Sequence, residues 1–276
     1  MSIKSMGIIG GGQLGSLLAV AAKKLNINTT IYCDDIDAPA QNFCAKFIYG
    51  KYDDKLKMQE FIKEIDVITY EFENIPYETL NELNKVKPVL PKPSVIRLIQ
   101  HRVAEKDFVN KLNIRTTRYA SIDSKSDMEP LGDFLPGILK TTTMGYDGKG
   151  QYPIKKIEEI NNLNIDFSKG YILEKLVKLK KEISVIITRF GNNSYEIYEP
   201  IENTHEDQIL THSIIPAQIS KKIFNESKDW SIRIAEELKY IGALCIEFFI
   251  DRNENLYVNE IAPRVHNSGH LTINAF

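Results

Sequence analysis

A short apolar strand, Met6-Gly7-Ile8-Ile9, leads directly into Gly10-Gly-Gly-Gln-Leu-Gly15, and apolar residues then recur at helical spacing at Leu14, Leu17, Leu18, Ala21, Ala22 and Leu25. The alternation continues beyond this unit. Residues 29–33 read as a strand, 55–65 as a helix and 67–72 as a strand. Such alternation predicts an α/β domain with a doubly wound parallel sheet and helices on both faces. The proline-rich break Lys87-Pro-Val-Leu-Pro-Lys-Pro93 marks its end, which gives a first domain over residues 1–94.

The glycine turn satisfies G-x-G-x-x-G at Gly10, Gly12 and Gly15. Glycines let a backbone approach a phosphate, and the following helix offers free N–H groups at its positive end. Asp34 and Asp35 stand where a ribose-binding acid sits in a dinucleotide enzyme. Three readings follow: an NAD site, a site for another phosphate-bearing molecule, or a tight turn with no ligand. The motif alone does not choose among them.

Beyond the break a helical stretch covers 95–112, and residues 121–130 read as a polar surface loop. Strands dominate afterwards, at 170–173, 182–190 and 195–198. One further amphipathic helix is marked by Trp230, Ile234, Ala235, Leu238 and Ile241. Ala243-Leu-Cys-Ile-Glu-Phe-Phe-Ile250 and Leu256-Tyr-Val-Asn-Glu-Ile261 then flank the polar turn Asp251-Arg-Asn-Glu-Asn255, a hairpin pattern. With Asp251 opposite Leu256, Glu247 faces Glu260 on the same side. Like charges directly opposed are destabilising unless something neutralises them, and a divalent cation with oxygen ligands does so. Asn259 becomes a further oxygen ligand if a bulge turns it inward. A one-residue slip would separate the two acids.

A second glycine loop, Lys140-Thr-Thr-Thr-Met-Gly-Tyr-Asp-Gly-Lys-Gly-Gln151, follows a strand; it suits either nucleotide phosphates or a plain hairpin turn. The two glycine loops, Glu174-Lys-Leu-Val177, Glu182 and the paired acids together resemble the ATP-grasp superfamily. The strings Tyr70-Glu-Phe-Glu-Asn-Ile-Pro76, Gly145-Tyr-Asp-Gly-Lys-Gly-Gln151 and Asn259-Glu-Ile-Ala-Pro-Arg-Val-His-Asn-Ser-Gly-His270 resemble the 5-(carboxyamino)imidazole ribonucleotide synthase family within it. The resemblance runs from Met6 to Phe276. It implies a pre-ATP-grasp, substrate-binding N-terminal domain (1–94), then an α+β ATP-grasp domain made of a lid subdomain with linker helices (95–177) and a large subdomain (178–276).

The implied reaction joins bicarbonate to aminoimidazole ribonucleotide at the expense of ATP, with Mg2+, through carboxyphosphate. The resemblance assigns Arg102 and Lys140 to the phosphates, and Gly145, Tyr146, Asp147, Gly148, Lys149, Gly150 and Gln151 to a flap over them. Glu174, Lys175, Leu176 and Val177 would read adenine, Glu182 the ribose, and His205 would lie at the nucleotide. Glu247 and Glu260 would bind the metal, with Asn259 beside them. Gly12, Gln13, Leu14, Glu73, Tyr146, Arg264, Asn267 and Ser268 would face the ribonucleotide. Arg264, Asp147, His266 and Lys149 would carry the chemistry. Thr142, Thr143 and Met144 depart from the basic and glycine residues usual there, and relatives continue past the position of Phe276, so a C-terminal portion is expected to be missing.

Composition limits the rivals. A formal net charge of -2 lacks the basic excess of nucleic-acid binders, and no apolar run approaches a membrane span. Three cysteines without metal-like spacing read as reduced thiols, and with no signal-peptide pattern they point to the cytoplasm. His101 and His212 read as satisfied or surface residues, Glu71 as a strand-edge charge, and Tyr70, Phe72, Phe248 and Phe249 as core. Relatives imply a homodimer. An NAD-dependent oxidoreductase, an inactive nucleotide-binding fragment and a formate- or amino-acid-using ligase remain as alternatives.

Overall fold

The computed structural model describes residues 3–128, 131–143, 150–163, 165–206 and 209–273. The chain opens with β1 (Ser5–Ile9), α1 (Gln13–Lys24), β2 (Asn28–Cys33), β3 (Lys46–Tyr49), α2 (Lys55–Ile62), β4 (Val67–Tyr70) and α3 (Tyr77–Asn84). The four strands form one sheet in the order β3-β2-β1-β4, and every pair is parallel. Ile9, Ile68, Phe61 and Leu80 fill one face of it, while Ile8, Ile31 and Ala19 fill the other. Both faces are covered, as a parallel sheet requires. β3 and α3 escape the sequence reading because each is short, four and eight residues, too few to display a period.

The expected helix over 95–112 is two helices, α4 (Pro93–Ile99) and α5 (Arg102–Lys111). His101 breaks the run: it sits in extended backbone and its Nδ1 accepts from the Ala104 N–H, which caps α5. It is thus a satisfied residue at the surface, as expected, and its ring caps a helix. Likewise the expected loop over 121–130 begins as a strand and continues as a 3₁₀ turn over Lys125–Met128.

Two antiparallel sheets follow. β5 (Tyr119–Ile122), β6 (Gly137–Thr141), β7 (Gln151–Ile154) and β8 (Tyr171–Lys175) order as β5-β8-β6-β7. The larger sheet contains β9 (Leu179–Arg189), β10 (Tyr195–Ile197), β11 (Ile201–Glu206), β12 (Ile209–Ile214), β13 (Gly242–Asp251) and β14 (Leu256–Ala262), with α6 (Lys221–Glu237) crossing between β12 and β13. Its order is β12-β11-β9-β13-β14, and β10 pairs with β9. One face, with Ile183, Val185, Leu244, Ile246, Phe248, Val258 and Ile261, packs on Trp230 and Ile234 of α6 and on Val95 and Val109 of the linker helices. β11 and β12 are polar because their sheet turns its other face toward a cavity, so alternation in hydropathy did not reveal them.

The hairpin departs from regular pairing. Ile250 faces Leu256, so the turn is one residue longer than expected and Asp251 lies within it. The Asp251 carboxylate accepts from the Asn253 and Asn255 N–H groups, which ties the turn to itself. A bulge between Glu247 and Phe248 then restores the expected pair, Glu247 opposite Glu260, with Asn259 as the extra residue. Leu256 and Val258 point into the apolar core, as does Ile261 on the far side of the bulge. Were Asn259 paired regularly instead of bulged, Glu260 would face Ile246 and enter that core. Phe249, expected there too, faces the cavity instead, and Phe72 is half-exposed.

Candidate active site

A cavity of about 810 Å3 lies between the two antiparallel sheets and reaches the N-terminal domain at Glu73 and Asn74. β6 contributes Lys140, β8 contributes Glu174 and Lys175, and Leu176 and Val177 follow. From the larger sheet come Glu182, His205, Glu247, Asn259 and Glu260, and from the loop after β14 come Arg264, His266 and Asn267. Arg102 and Gln151 also line it. Most of the expected site residues therefore meet in one place.

Acids dominate its floor. Glu247 is held by His266, whose Nε2 lies 3.1 Å from Oε1. Burial works against the Glu247 charge, but the His266 hydrogen bond and charge keep its carboxyl below the usual range. His266 is raised well above an ordinary imidazole: burial opposes this, and Cys245 and Glu247 outweigh it. Glu260 goes the other way, raised by burial and by Glu247, with Arg102 at 3.9 Å as its cation. Glu182 is raised by burial although His205 Nδ1 stands 2.9 Å from it. Two opposed acids, one of them poorly compensated, suit a divalent cation. Asn259 lines the cavity beside them, as the bulge allows. Among the described residues no group of three or more His, Cys, Asp or Glu side chains forms a metal cage. That donor set suits magnesium, which binds one or two carboxylates and takes its remaining oxygens from substrate phosphates and water.

At the opposite end, Glu174 accepts from Thr117 Oγ1 at 3.1 Å and lies 3.2 Å from Lys140 Nζ and 3.4 Å from Lys106 Nζ. Burial opposes its charge, and Lys106 and Lys140 bring the carboxyl down to about 2. Lys140 itself is lowered by burial and by Lys106 and Arg102 nearby. The Lys175 N–H donates to Arg118 O and the Leu176 N–H to Pro136 O. Those two N–H groups are therefore engaged within the protein and do not donate to a base. Among the described residues, the Val177 N–H makes no backbone bond and remains free for it.

The first glycine loop holds a surprise. Glu71 is buried, and its carboxylate accepts from the N–H groups of Gly12 and, at 2.6 Å, Gly15. It is not a strand-edge charge. A Cβ at Gly10 would stand 2.6 Å from Glu71 Cγ, and one at Gly12 would stand 2.9 Å from Oε1. Gly10 also takes φ +97°, where a side chain is strained. The glycines therefore surround an internal acid in the seat that a dinucleotide's phosphate would need, which removes the NAD reading. The Gly12 amide is taken, whereas Gln13 and Leu14 sit in the first turn of α1, with Gln13 exposed. Two residues beyond Glu71, Glu73 pairs with Arg264 and is kept ionised by it against the effect of burial.

Ser268 is fully buried and does not face the cavity. Its hydroxyl lies 2.8 Å from Ser184 Oγ and 2.9 Å from His266 Nδ1, so it supports the loop from beneath. Gly150 (φ +71°) closes against Thr141 at the start of β7. Gly145, Tyr146, Asp147, Gly148 and Lys149 lie outside the described residues. Sequence reasoning missed Glu105, Thr117 and Lys106. Glu105 lines the cavity, accepts from the Ile261 N–H at 2.6 Å, and is raised to about 8 by burial and by Glu260. Glu105 alone had a local signal, its helical spacing from Arg102, which puts the two on one face of α5.

Known proteins give the same picture. Residues 3–100 match the ribonucleotide synthetase preATP-grasp domain and residues 107–276 the ATP-grasp domain. N5-carboxyaminoimidazole ribonucleotide synthase of Staphylococcus aureus (strain COL) is 37% identical over 274 residues, which cover 98% of this chain and 73% of that protein. The crystal structure of the Staphylococcus aureus enzyme complexed with ADP superposes with a TM-score of 0.92 at 36% identity, covering 99% of this chain and 73% of that one. The Aspergillus clavatus enzyme, in complex with ADP and 5-aminoimidazole ribonucleotide, does so with a TM-score of 0.87 at 25% identity, covering 98% and 72%. A pre-ATP-grasp sheet, two ATP-grasp sheets and acids opposed across a bulged hairpin thus place this chain in the N5-carboxyaminoimidazole ribonucleotide synthase family.

Proposed function

We propose that this chain carboxylates 5-aminoimidazole ribonucleotide with bicarbonate and ATP, giving N5-carboxyaminoimidazole ribonucleotide, ADP and phosphate. The observation that carries the reading is the pairing of Glu247 with Glu260 in a cavity that also holds Glu174, Lys140 and Arg264. Bicarbonate is a poor electrophile. Its oxygen attacks the γ-phosphorus as the bond to ADP breaks. The substrate amine then attacks the carboxyl carbon, phosphate leaves, and the nitrogen loses a proton.

The residues divide this work along the cavity. Glu174 and Val177 hold the base, and Glu182 and His205 the sugar. Lys140 and Arg102 stabilise charge spreading over the transferred phosphoryl group. Glu247, Glu260 and Asn259 would hold magnesium, which would supply positive charge to the phosphate oxygens. Arg264, anchored by Glu73, faces the anionic intermediate from the N-terminal side. Gln13, Leu14, Glu73 and Asn267 orient the ribonucleotide. His266 has both ring nitrogens engaged, by Glu247 and Ser268, so it acts as the brace of Glu247 and not as a base. Asp147, Lys149 and Tyr146 keep the roles that the family resemblance implies.

We further assign the chain to three units (1–94, 95–177 and 178–276), a homodimer and the cytoplasm. The cysteines Cys33, Cys44 and Cys245 are free thiols, and among the described residues no helix is long and apolar enough to cross a membrane. Phosphate release is the test, measured with ATP, bicarbonate and aminoimidazole ribonucleotide, each omitted in turn. Release should require all three. Release unchanged without the ribonucleotide would reject the substrate assignment.

A further inference from the structure

Lys106 sits on α5 with 2 % of its surface exposed. Its ammonium group donates to Thr117 Oγ1 at 3.2 Å and lies 3.4 Å from Glu174 Oε2. Thr117 Oγ1 in turn donates to the same oxygen at 3.1 Å, and Lys140 Nζ approaches it at 3.2 Å. Among the described residues, every polar contact of this carboxylate therefore falls on Oε2. Oε1 is left as an acceptor in a cavity that Glu174 lines.

The two lysines differ in what a ligand does to them. Lys140 lines the cavity, where a nucleotide's phosphates attract it away from Glu174. Lys106 does not line the cavity and cannot follow a ligand. It is thus the cation that stays with Glu174 when Lys140 is drawn off. A buried carboxylate that lost both cations would take up a proton or rotate, and its free oxygen would no longer accept reliably.

Oε1 and the unbonded Val177 N–H offer an acceptor and a donor at the end of the cavity remote from Glu247 and Glu260. Adenine presents a 6-amino donor beside the N1 acceptor and matches both. Guanine presents a 6-oxo acceptor beside an N1–H donor and opposes both. We propose that Lys106 is a positioning residue which holds Glu174 charged and oriented, and so sets the preference for adenine over guanine nucleotides. This rests on the reading of the cavity as an ATP site.

The test is calorimetric binding of MgADP and MgGDP to the whole chain, independent of turnover, for the wild type, Lys106→Met and Lys106→Arg. MgADP affinity of Lys106→Met should fall at least about tenfold with MgGDP nearly unchanged, so that the ratio collapses, and Lys106→Arg should restore part of it. A folded Lys106→Met with the wild-type ratio overturns the proposal. Should that variant fail to fold, Thr117→Val removes the bridging hydroxyl; it should lower the ratio about threefold, and an unchanged ratio is equally fatal. Failure of the carboxylation reading would instead show as phosphate release that ignores the ribonucleotide while the ADP preference persists.

Discussion

Buried acid is handled in opposite ways at the two ends of this molecule. Under the first glycine loop, Glu71 is closed off by backbone N–H groups of its own chain. In the cavity, Glu105, Glu182, Glu247 and Glu260 converge with Arg102, His205 and His266 for company, and three of the four acids are raised. A buried charge satisfied internally makes a scaffold. A buried charge left short of partners makes a site that a ligand completes. The same residue type thus separates the part that positions from the part that reacts.

The comparison breaks most sharply at the hairpin. Glu260→Gln should lower magnesium-dependent ATP turnover by about 10³-fold while leaving the circular dichroism melt near that of the wild type; a variant with normal turnover removes the metal assignment. At the scaffold end the order reverses. Glu71→Ala orphans two buried donors, so urea unfolding should register a loss of about 3 kcal/mol. A melt unchanged by that substitution would mean that the loop does not depend on its internal acid.

Two pH effects of opposite sign refine the contrast. Glu105 is a carboxyl raised to about 8, so the stability tied to its proton is present below its unfolded value near 4.5 and is lost as pH rises through about 8. Glu105→Gln keeps an oxygen for the Ile261 N–H. It should therefore flatten the fall in melting temperature between those pH values, by the equivalent of about 2 kcal/mol. Glu174 is depressed to about 2, so its contribution is present above about 4.5 and is lost as pH falls toward 2. Lys106→Met should weaken that acid-side dependence, as read by melts from pH 6 to 3, by about 1 kcal/mol.

Much of this was legible in the sequence, for identifiable reasons. The parallel sheet showed because both of its faces are buried and its strands are plainly apolar. The acid pair showed because Glu247 and Glu260 interrupt two apolar strands. Its register was right at the acids and wrong at the tip, where Asp251 binds the amides of Asn253 and Asn255 and draws itself into the turn. A bulge has no period, and only the placement of Leu256, Val258 and Ile261 in one core exposes it. Glu71 and Lys106 were invisible for a different cause. Each finds its carboxylate or amide partner across a long stretch of chain, 59 residues to Gly12 in the first case and Glu174 on β8 in the second. Local spacing carries no trace of such contacts.

The additional residue at Asn259 also insulates the hairpin's tip from its base. Pairs nearer the tip than Phe248 and Val258 follow one count, and those from Glu247 and Glu260 inward follow another. β9 holds β13 along both counts, and Glu105 on the Ile261 amide holds β14 at the inner one. A lengthened or shortened tip would slide only the outer pairs, as slack in a rope is taken up before a knot. The two opposed acids can then hold their spacing while the tip changes in length and composition.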